Sequence, residues 1–198
     1  MNIYLFDSKN GQRNSLKDFL YYLRFSGKRG VIDFSYANET DSLHHNMTIK
    51  ENLILDSIPT SLIKENEVNL SDFLKEIKNP ELIAMIAKVS NMERSIASLD
   101  KRTLKLTSLV KALLAQREMV FLVDPHSDLN AEDISLLKKC LNYESLHNNR
   151  KIFIQTSDQD CWLDTANIII GRDAKNKFSE KSNPFMVEES FAKLKLVA

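Results

Sequence analysis

Residues 121–130 read FLVDPHSDLN, and this stretch decides the fold. The segment Met119–Val123 is apolar on both faces, which is typical of a strand in the middle of a parallel sheet. Asp124 ends the strand with a carboxylate, and Pro125 follows it with a side chain that has no proton acceptor. The stretch therefore raises the question of why a buried strand presents one carboxylate at its end and is followed by a residue that can do no acid–base chemistry.

Four other apolar runs have the length of buried strands. They are Ile3–Phe6, Val31–Phe34, Ile152–Gln155 and Ile168–Ile170. Helical patterns lie between these runs and are concentrated in the middle of the chain. The alternation predicts an α/β fold with a mainly parallel sheet flanked by helices. We expect one domain over residues 1–198, a helical subdomain at about 56–99, and the strands that begin at Ile3, Met119 and Ile152 side by side at the centre.

The clearest helical pattern lies in Leu99–Ala115. Its apolar positions form one stripe, made of Leu106, Leu109, Val110, Leu113 and Leu114. The polar face opposite that stripe carries Lys105, Ser108 and Lys111. Asn130 is placed to cap a helix over Ala131–Leu141, and Pro80 is placed to open another helix in its first turn.

Composition and charge exclude several classes of protein. The 198 residues suffice for one domain with a hydrophobic core. Basic and acidic residues number 27 each, so the net charge of zero does not favour a nucleic-acid partner. No apolar run is long enough to cross a bilayer, and the start, MNIYLFDSKNGQ, lacks the pattern of a secretory signal. With two cysteines, Cys140 and Cys161, and no disulfide framework, these features predict a cytoplasmic protein without direct membrane insertion.

The order of several short segments is informative. In chain order they are SKNGQRNS (Ser8–Ser15), HNMTIKENLIL (His45–Leu55), LDKRT (Leu99–Thr103), KALLAQRE (Lys111–Glu118), FLVDPHSDLN (Phe121–Asn130), TSD (Thr156–Asp158) and TANIIIG (Thr165–Gly171). In this order they resemble motifs of the nucleotide-binding domain of ABC-type ATPases, from the phosphate loop through the signature and Walker B strand to the switch. The resemblance covers nearly the whole chain. It implies a P-loop NTPase-like fold in which the family's N-terminal antiparallel strands are missing.

The phosphate-loop segment departs from the family's motif. A phosphate loop needs glycines because successive backbone N–H groups must face the phosphates. Gly11 remains, but Ser8 and Arg13 stand where the family has glycines. Asn14 replaces the lysine that reaches the phosphates, while Ser15 keeps the hydroxyl that would hold Mg²⁺. The resemblance therefore implies a reshaped loop that has lost its phosphate cradle.

The signature segment departs as well. Asp100 replaces the family's signature serine, and Lys101 and Arg102 replace its two glycines. A carboxylate aimed at a triphosphate is repulsive, and flanking cations do not restore a cradle of backbone N–H groups.

The resemblance also implies a role for the carboxylate of Asp124. This residue matches the Walker B aspartate, which orders Mg²⁺ in the family. Pro125 stands in place of the glutamate that polarises the attacking water, and Ser157 stands in place of the switch histidine. Phosphoryl transfer depends almost entirely on positioning and electrostatics, so losing these parts together predicts that the chain is not an ATPase.

The favoured interpretation is a catalytically inactive ABC-ATPase-like protein that acts as a binding, regulatory or structural subunit. We expect a protein partner or a homodimer, in an export or envelope complex through which the chain reaches the inner membrane. The expected interface is the family's dimer face, made of Lys9, Arg13, Asn14, Asp100, Lys101, Arg102, Ser127, Asp128 and Asn130. This interpretation implies no cofactor and no metal.

Two alternatives remain open. The first is a subunit of a transport or export system that still binds ATP and Mg²⁺ through Ser15 and Asp124, with a basic side chain replacing the lost lysine. The second is a hydrolase with a relocated site around Asp124, His126 and Asp128, because a histidine beside carboxylates can act as a base.

Overall fold

Six strands form one sheet in the computed structural model, which describes residues 2–7, 15–38, 42–55, 74–89, 91–173 and 177–186. They are β1 Ile3–Phe6, β2 Phe34–Ala37, β3 Met119–Val123, β4 Lys151–Gln155, β5 Ile168–Arg172 and β6 Phe178–Ser182. The order is β2-β3-β4-β1-β5-β6, with β6 antiparallel to β5 and the other pairs parallel. The mainly parallel α/β sheet is confirmed, and so is the central group β3-β4-β1.

Helices cover both faces of this sheet. They are α1 Ser15–Phe25, α2 Ile49–Leu55, α3 Pro80–Lys88, α4 Lys101–Leu114 and α5 Ala131–His147. Phe19 of α1 stacks on Phe121 with the ring centroids 4.3 Å apart, within an aromatic cluster on one face. The neighbouring β3 residue Val120 points to the opposite face and belongs to the core that α4 and α5 fill. The sheet is therefore the middle layer of three.

Side-chain caps set the start of three helices. The side chain of Asn79 accepts hydrogen bonds from the backbone N–H groups of Glu81 and Leu82 at the start of α3, where Pro80 is the first residue. Asn130 accepts from the N–H of Asp133 at the start of α5. Both predicted starts are confirmed, and Asp100 caps α4 in the same way.

The second strand is the main correction to the predicted sheet. The sequence predicts Val31–Phe34, but β2 is Phe34–Ala37, and Val31 is 100% exposed. Strand register explains the shift, because Phe34 pairs with Met119, the first residue of β3. The residues before Phe34 lie beyond the start of β3 and have no strand beside them to pair with.

Two further differences concern polar segments. Strand β6, with the sequence FSEKS, is absent from the prediction because an exposed edge strand needs no apolar pattern. In α4 the three residues of the predicted polar face, Lys105, Ser108 and Lys111, are all buried. This helix packs against the sheet, α2 and α3, and so has little solvent side. Within the predicted helical subdomain, α3 and a 3₁₀ turn at Ile96–Ser98 are present, while residues 56–73 lie outside the described residues.

Candidate functional site

Asp124 lies at the carboxyl end of β3 in a strained conformation. Its φ angle is +41°, a left-handed value that is rare for any residue other than glycine and less favourable still before a proline. Such a conformation costs on the order of 1–3 kcal/mol and persists only where the surroundings impose it. Here the N–H of Asp124 donates to the carbonyl of Gln155 at 2.8 Å, and the hydroxyl of Ser127 donates to the Asp124 carbonyl at 2.8 Å.

The carboxylate of Asp124 is used to hold the loop after β4. Its Oδ1 accepts the backbone N–H of Ser157 at 2.9 Å and lies 3.4 Å from the Ser157 hydroxyl. The two residues meet because β3 and β4 are adjacent and parallel, with Val123 opposite Gln155. Pro125, directly after Asp124, is buried. The strand thus ends in a carboxylate that joins two loops and in a ring that does no acid–base chemistry.

His126 binds the loop after β4 as well. Its Nδ1 accepts the indole N–H of Trp162 at 3.4 Å and lies 3.4 Å from the hydroxyl of Thr156. Its Nε2 is 4.0 Å from a carboxylate oxygen of Asp158. Trp162 is fully buried in the core that α4 and α5 fill. The Nδ1 lone pair therefore faces the protein interior, which does not favour His126 as a catalytic base through this nitrogen.

A cavity of about 360 Å³ opens at the carboxyl ends of β2 and β3 and beside the loop after β4. Five predicted site residues line it, together with Asn38, Lys105 and Val123; the five are Asp124, His126, Ser127, Asp128 and Ser157. Lys105 is the functional candidate that the sequence pattern misses. It is 2% exposed, and its ammonium donates to the carbonyl of Val123 at 3.3 Å. The feature that identifies Lys105 is its position in α4, which lies between the sheet and the helices α2 and α3. This enclosure is visible only in the structure.

Two of the signature residues make contacts within the chain. Asp100 accepts the N–H of Thr103 at 3.0 Å and its hydroxyl at 2.7 Å, and these bonds hold the pKa of the Asp100 carboxyl below its usual value. Arg102 donates twice to the carboxylate of Asp133, at 2.6 and 3.0 Å. Lys101, between them, is exposed. The start of α4 is therefore a capped helix end that is tied to α5.

The other predicted site residues lie at helix ends, in loops or outside the described residues. Ser15 is the first residue of α1, so the segment that resembles a phosphate loop connects β1 to α1. Ser8, Gly11, Arg13 and Asn14, and also Lys9, lie outside the described residues. Asp128 is exposed with a φ angle of +58°, and Asn130 is the cap of α5.

Comparison with solved structures identifies the fold. The ATP-binding subunit of an ABC transporter superposes with a TM-score of 0.67 at 14% identity, over 96% of this chain and 82% of that one. A bacterial ABC transporter cassette, solved as a dimer, superposes with a TM-score of 0.63 at 10% identity, over 91% of this chain and 84% of that one. An RNase-L inhibitor gives 0.60 at 13% identity, over 90% of this chain and 34% of that one. The chain therefore has an ABC-ATPase-like fold.

Sequence comparisons add nothing to the fold: no family model matches the chain, and no curated protein matches it. Among the residues that the structure describes, no helix has the length and apolar character that crossing a bilayer requires. No group of three or more histidine, cysteine, aspartate or glutamate side chains is arranged to hold a metal ion in that part of the chain.

Proposed function

We propose that this chain is a catalytically inactive ABC-ATPase-like protein that acts as a binding, regulatory or structural subunit. The observation that carries the proposal is the pair Asp124–Pro125. The carboxylate that would order a metal ion is bonded to the backbone of Ser157, and the next side chain is a buried proline ring. Asp124 and Ser157 join the two loops at the carboxyl edge of the sheet, and Pro125 offers no acceptor for the proton of an attacking water at the position next to Asp124.

The residues at this edge do not fit the hydrolysis of ATP with Mg²⁺. Magnesium prefers several oxygen ligands, and one of the two carboxylate oxygens of Asp124, Oδ1, is already engaged by the N–H of Ser157. Lys105 lines the same cavity, and its positive charge opposes the entry of a metal cation. We therefore assign no step of phosphoryl transfer to these residues.

Residual nucleotide binding is the second candidate, and Lys105 is the observation that favours it. A buried ammonium beside a cavity of about 360 Å³ is a feature that attracts anionic groups. In this alternative the nucleotide is retained as a ligand of a transport or export subunit, and Lys105 takes over part of the charge of the lost phosphate-loop lysine.

The proposed function requires an interface, and the family's dimer face supplies the first candidate. Its residues include exposed charges of both signs, such as Lys101 and Asp128. A head-to-tail pair would bring Arg13 of one copy towards Asp100 of the other. Exposed pairs of this kind contribute about 0–1 kcal/mol each, and they act mainly on encounter rate and specificity.

Charge reversal tests this interface. We expect Arg13→Glu and Asp100→Lys each to lower self-association by up to about fivefold, and the double variant to recover part of the loss. Sedimentation velocity over a concentration series measures the effect. Because Asp100 also caps α4, the matched control is Asp100→Ser, which removes the charge and keeps a good cap.

The control separates the two roles of Asp100. If Asp100→Lys weakens association and Asp100→Ser does not, the loss comes from the lysine or the helix end and not from a missing carboxylate. If neither Arg13→Glu nor Asp100→Lys changes association, the family's dimer face is not the functional interface of this chain.

A further inference from the structure

One short stretch of the chain, from Tyr21 to Val31, concentrates exposed apolar and basic residues. Tyr21 and Phe25 lie one turn apart on α1 and are 42% and 56% exposed, and Val31 is 100% exposed. These are three of the seven large apolar residues that are exposed in the described part of the chain, and they fall within eleven positions. Scattered single residues of this kind are ordinary, but a cluster is a sign of an interaction site.

The same stretch is basic. Arg24, Lys28 and Arg29 lie among the apolar residues, and no acidic residue occurs between Phe19 and Ile32. Acidic and basic residues balance over the whole chain, so this local excess is not a consequence of composition. We call Tyr21, Arg24, Phe25, Lys28, Arg29 and Val31 the basic-aromatic patch.

The geometry of the patch is built by two glycines. The N–H of Gly27 donates to the carbonyl of Arg24 at 3.2 Å, and the N–H of Lys28 donates to the carbonyl of Leu23 at 3.0 Å. This pair of bonds is the Schellman ending of a helix, which requires a left-handed residue, and Gly27 has a φ angle of +84°. Gly30 has a φ angle of +85°, and open space surrounds both glycines. Lys28 and Arg29 thus lie in a defined and exposed turn.

The helix end explains only part of the patch. Cations near the last turn of a helix are favourable because they oppose its dipole, which accounts for Arg24 and Lys28. Lys28 also lies 3.9 Å from Glu118, although both side chains are well exposed. Neither effect accounts for a fully exposed Val31 or for a half-exposed Phe25, one side of which rests against the ring of Phe178.

We propose that the basic-aromatic patch docks on an anionic lipid surface at the level of the headgroups. Every residue from Arg24 to Val31 is exposed, so the patch is accessible to a flat, deformable surface. Basic side chains close to such a surface are attracted by its negative potential, and aromatic residues favour the interface between headgroups and acyl chains. A second copy of the chain fits poorly, because a two-fold axis through the patch would bring Arg24, Lys28 and Arg29 close to their own copies.

The test is co-sedimentation of the full chain with phosphatidylcholine vesicles, with and without phosphatidylglycerol. We expect the wild type to sediment with the vesicles that contain phosphatidylglycerol and to stay in the supernatant with the neutral vesicles. Each basic residue near an anionic surface contributes about a factor of five, so Lys28→Glu with Arg29→Glu lowers the partition coefficient by at least about tenfold. Phe25→Ser with Val31→Ser lowers it at constant charge.

A matched control separates the patch from net charge. Lys139→Glu with Lys181→Glu changes the charge by the same amount at two exposed lysines outside the patch, and binding should stay within about twofold of wild type. The emission of Trp162, the single tryptophan, verifies that each variant is folded.

Several results overturn the proposal. The proposal is wrong if the wild type does not bind vesicles that contain phosphatidylglycerol, or if it binds neutral vesicles equally well. It is also wrong if the control variant at Lys139 and Lys181 loses as much vesicle binding as the patch variants. If the patch variants instead abolish self-association of the chain in solution, the patch is a protein interface and not a lipid-binding one.

Discussion

Replacing Arg150 by methionine is expected to destabilise the protein by about 3–5 kcal/mol. Arg150 is 5% exposed, and its guanidinium joins Glu144, which is 3% exposed, at 3.1 Å. It also donates to the carbonyl of Leu113, in the last turn of α4, at 2.7 Å, and to the carbonyl of Arg117, in the segment that leads to β3, at 2.8 Å. Removing the cation leaves a buried carboxylate and helix carbonyls without this donor.

The carboxylate of Glu144 extends the network to other elements. It accepts one hydrogen bond from the side-chain amide of Asn79, the cap of α3, at 2.7 Å. It accepts another from the side-chain amide of Asn148 at 2.9 Å. The network therefore joins α3, α4, α5 and the start of β4. It fixes the position of α4, which begins with Lys101 and Arg102 directly after its cap, Asp100. A cavity of about 350 Å³ lies beside it and gives water a route to an unpaired charge.

Urea unfolding followed by the emission of Trp162 measures the effect. The double variant Arg150→Met with Glu144→Leu should be less destabilised than Arg150→Met alone, because it removes the unpaired charge together with its partner. Lys139→Met, at an exposed position of α5, is the control for a generic loss of a cation. If Arg150→Met costs less than about 1 kcal/mol, the buried pair does not hold these elements together.

Replacing Asp133 by asparagine is expected to cost about 1–3 kcal/mol at neutral pH and much less in acid. The Asp133 side chain is fully buried, whereas its partners Arg102 and Lys88 remain 40% and 25% exposed and can be hydrated after the change. The hydrogen bonds from Arg102 come first among the effects that hold the pKa of Asp133 below its usual value, and Lys88 adds to them against the opposing effect of burial.

The sign of the pH dependence follows from that lowered pKa. The folded state favours the ionised carboxylate, so Asp133 stabilises the fold fully at pH values above its unfolded pKa of about 4. This contribution is lost as the pH falls towards and through the lower folded pKa. Unfolding in urea at neutral pH and in acid should show the gap between wild type and Asp133→Asn closing in acid. A gap of constant size, or one that is equal in the exposed control Asp160→Asn, would contradict this role.

Much of the fold could be predicted from the sequence because most of the strands are buried. The apolar runs of β1, β3, β4 and β5 are long enough to mark them, and parallel strands at the centre of a sheet need both faces apolar. The β2 boundary was wrong because Val31 looks like a strand residue by composition, whereas pairing with Met119 decides where the strand begins. The polar edge strand β6 carries no periodic signal at all.

The site was predictable only in part. Asp124 and Ser157 follow adjacent strands, so their meeting at one edge could be expected once the sheet order was known. The bond between Trp162 and His126 joins residues 36 positions apart and depends on how two loops fold over the sheet, which no local pattern encodes. Lys105 was assigned to a polar face because helical periodicity describes one apolar stripe, and it cannot represent a helix that is enclosed on several sides.

The most direct test of the proposed lack of ATPase activity is phosphate release from ATP with Mg²⁺, measured side by side for the wild type and Asp124→Asn. Both proteins are first shown to be folded by the emission of Trp162. Because Pro125 provides no proton acceptor and Asp124 is bonded to Ser157, we expect the wild type to release no phosphate above the buffer blank and Asp124→Asn to give the same trace. Steady turnover by the wild type that disappears in Asp124→Asn would contradict the account and support an ATPase that uses this carboxylate.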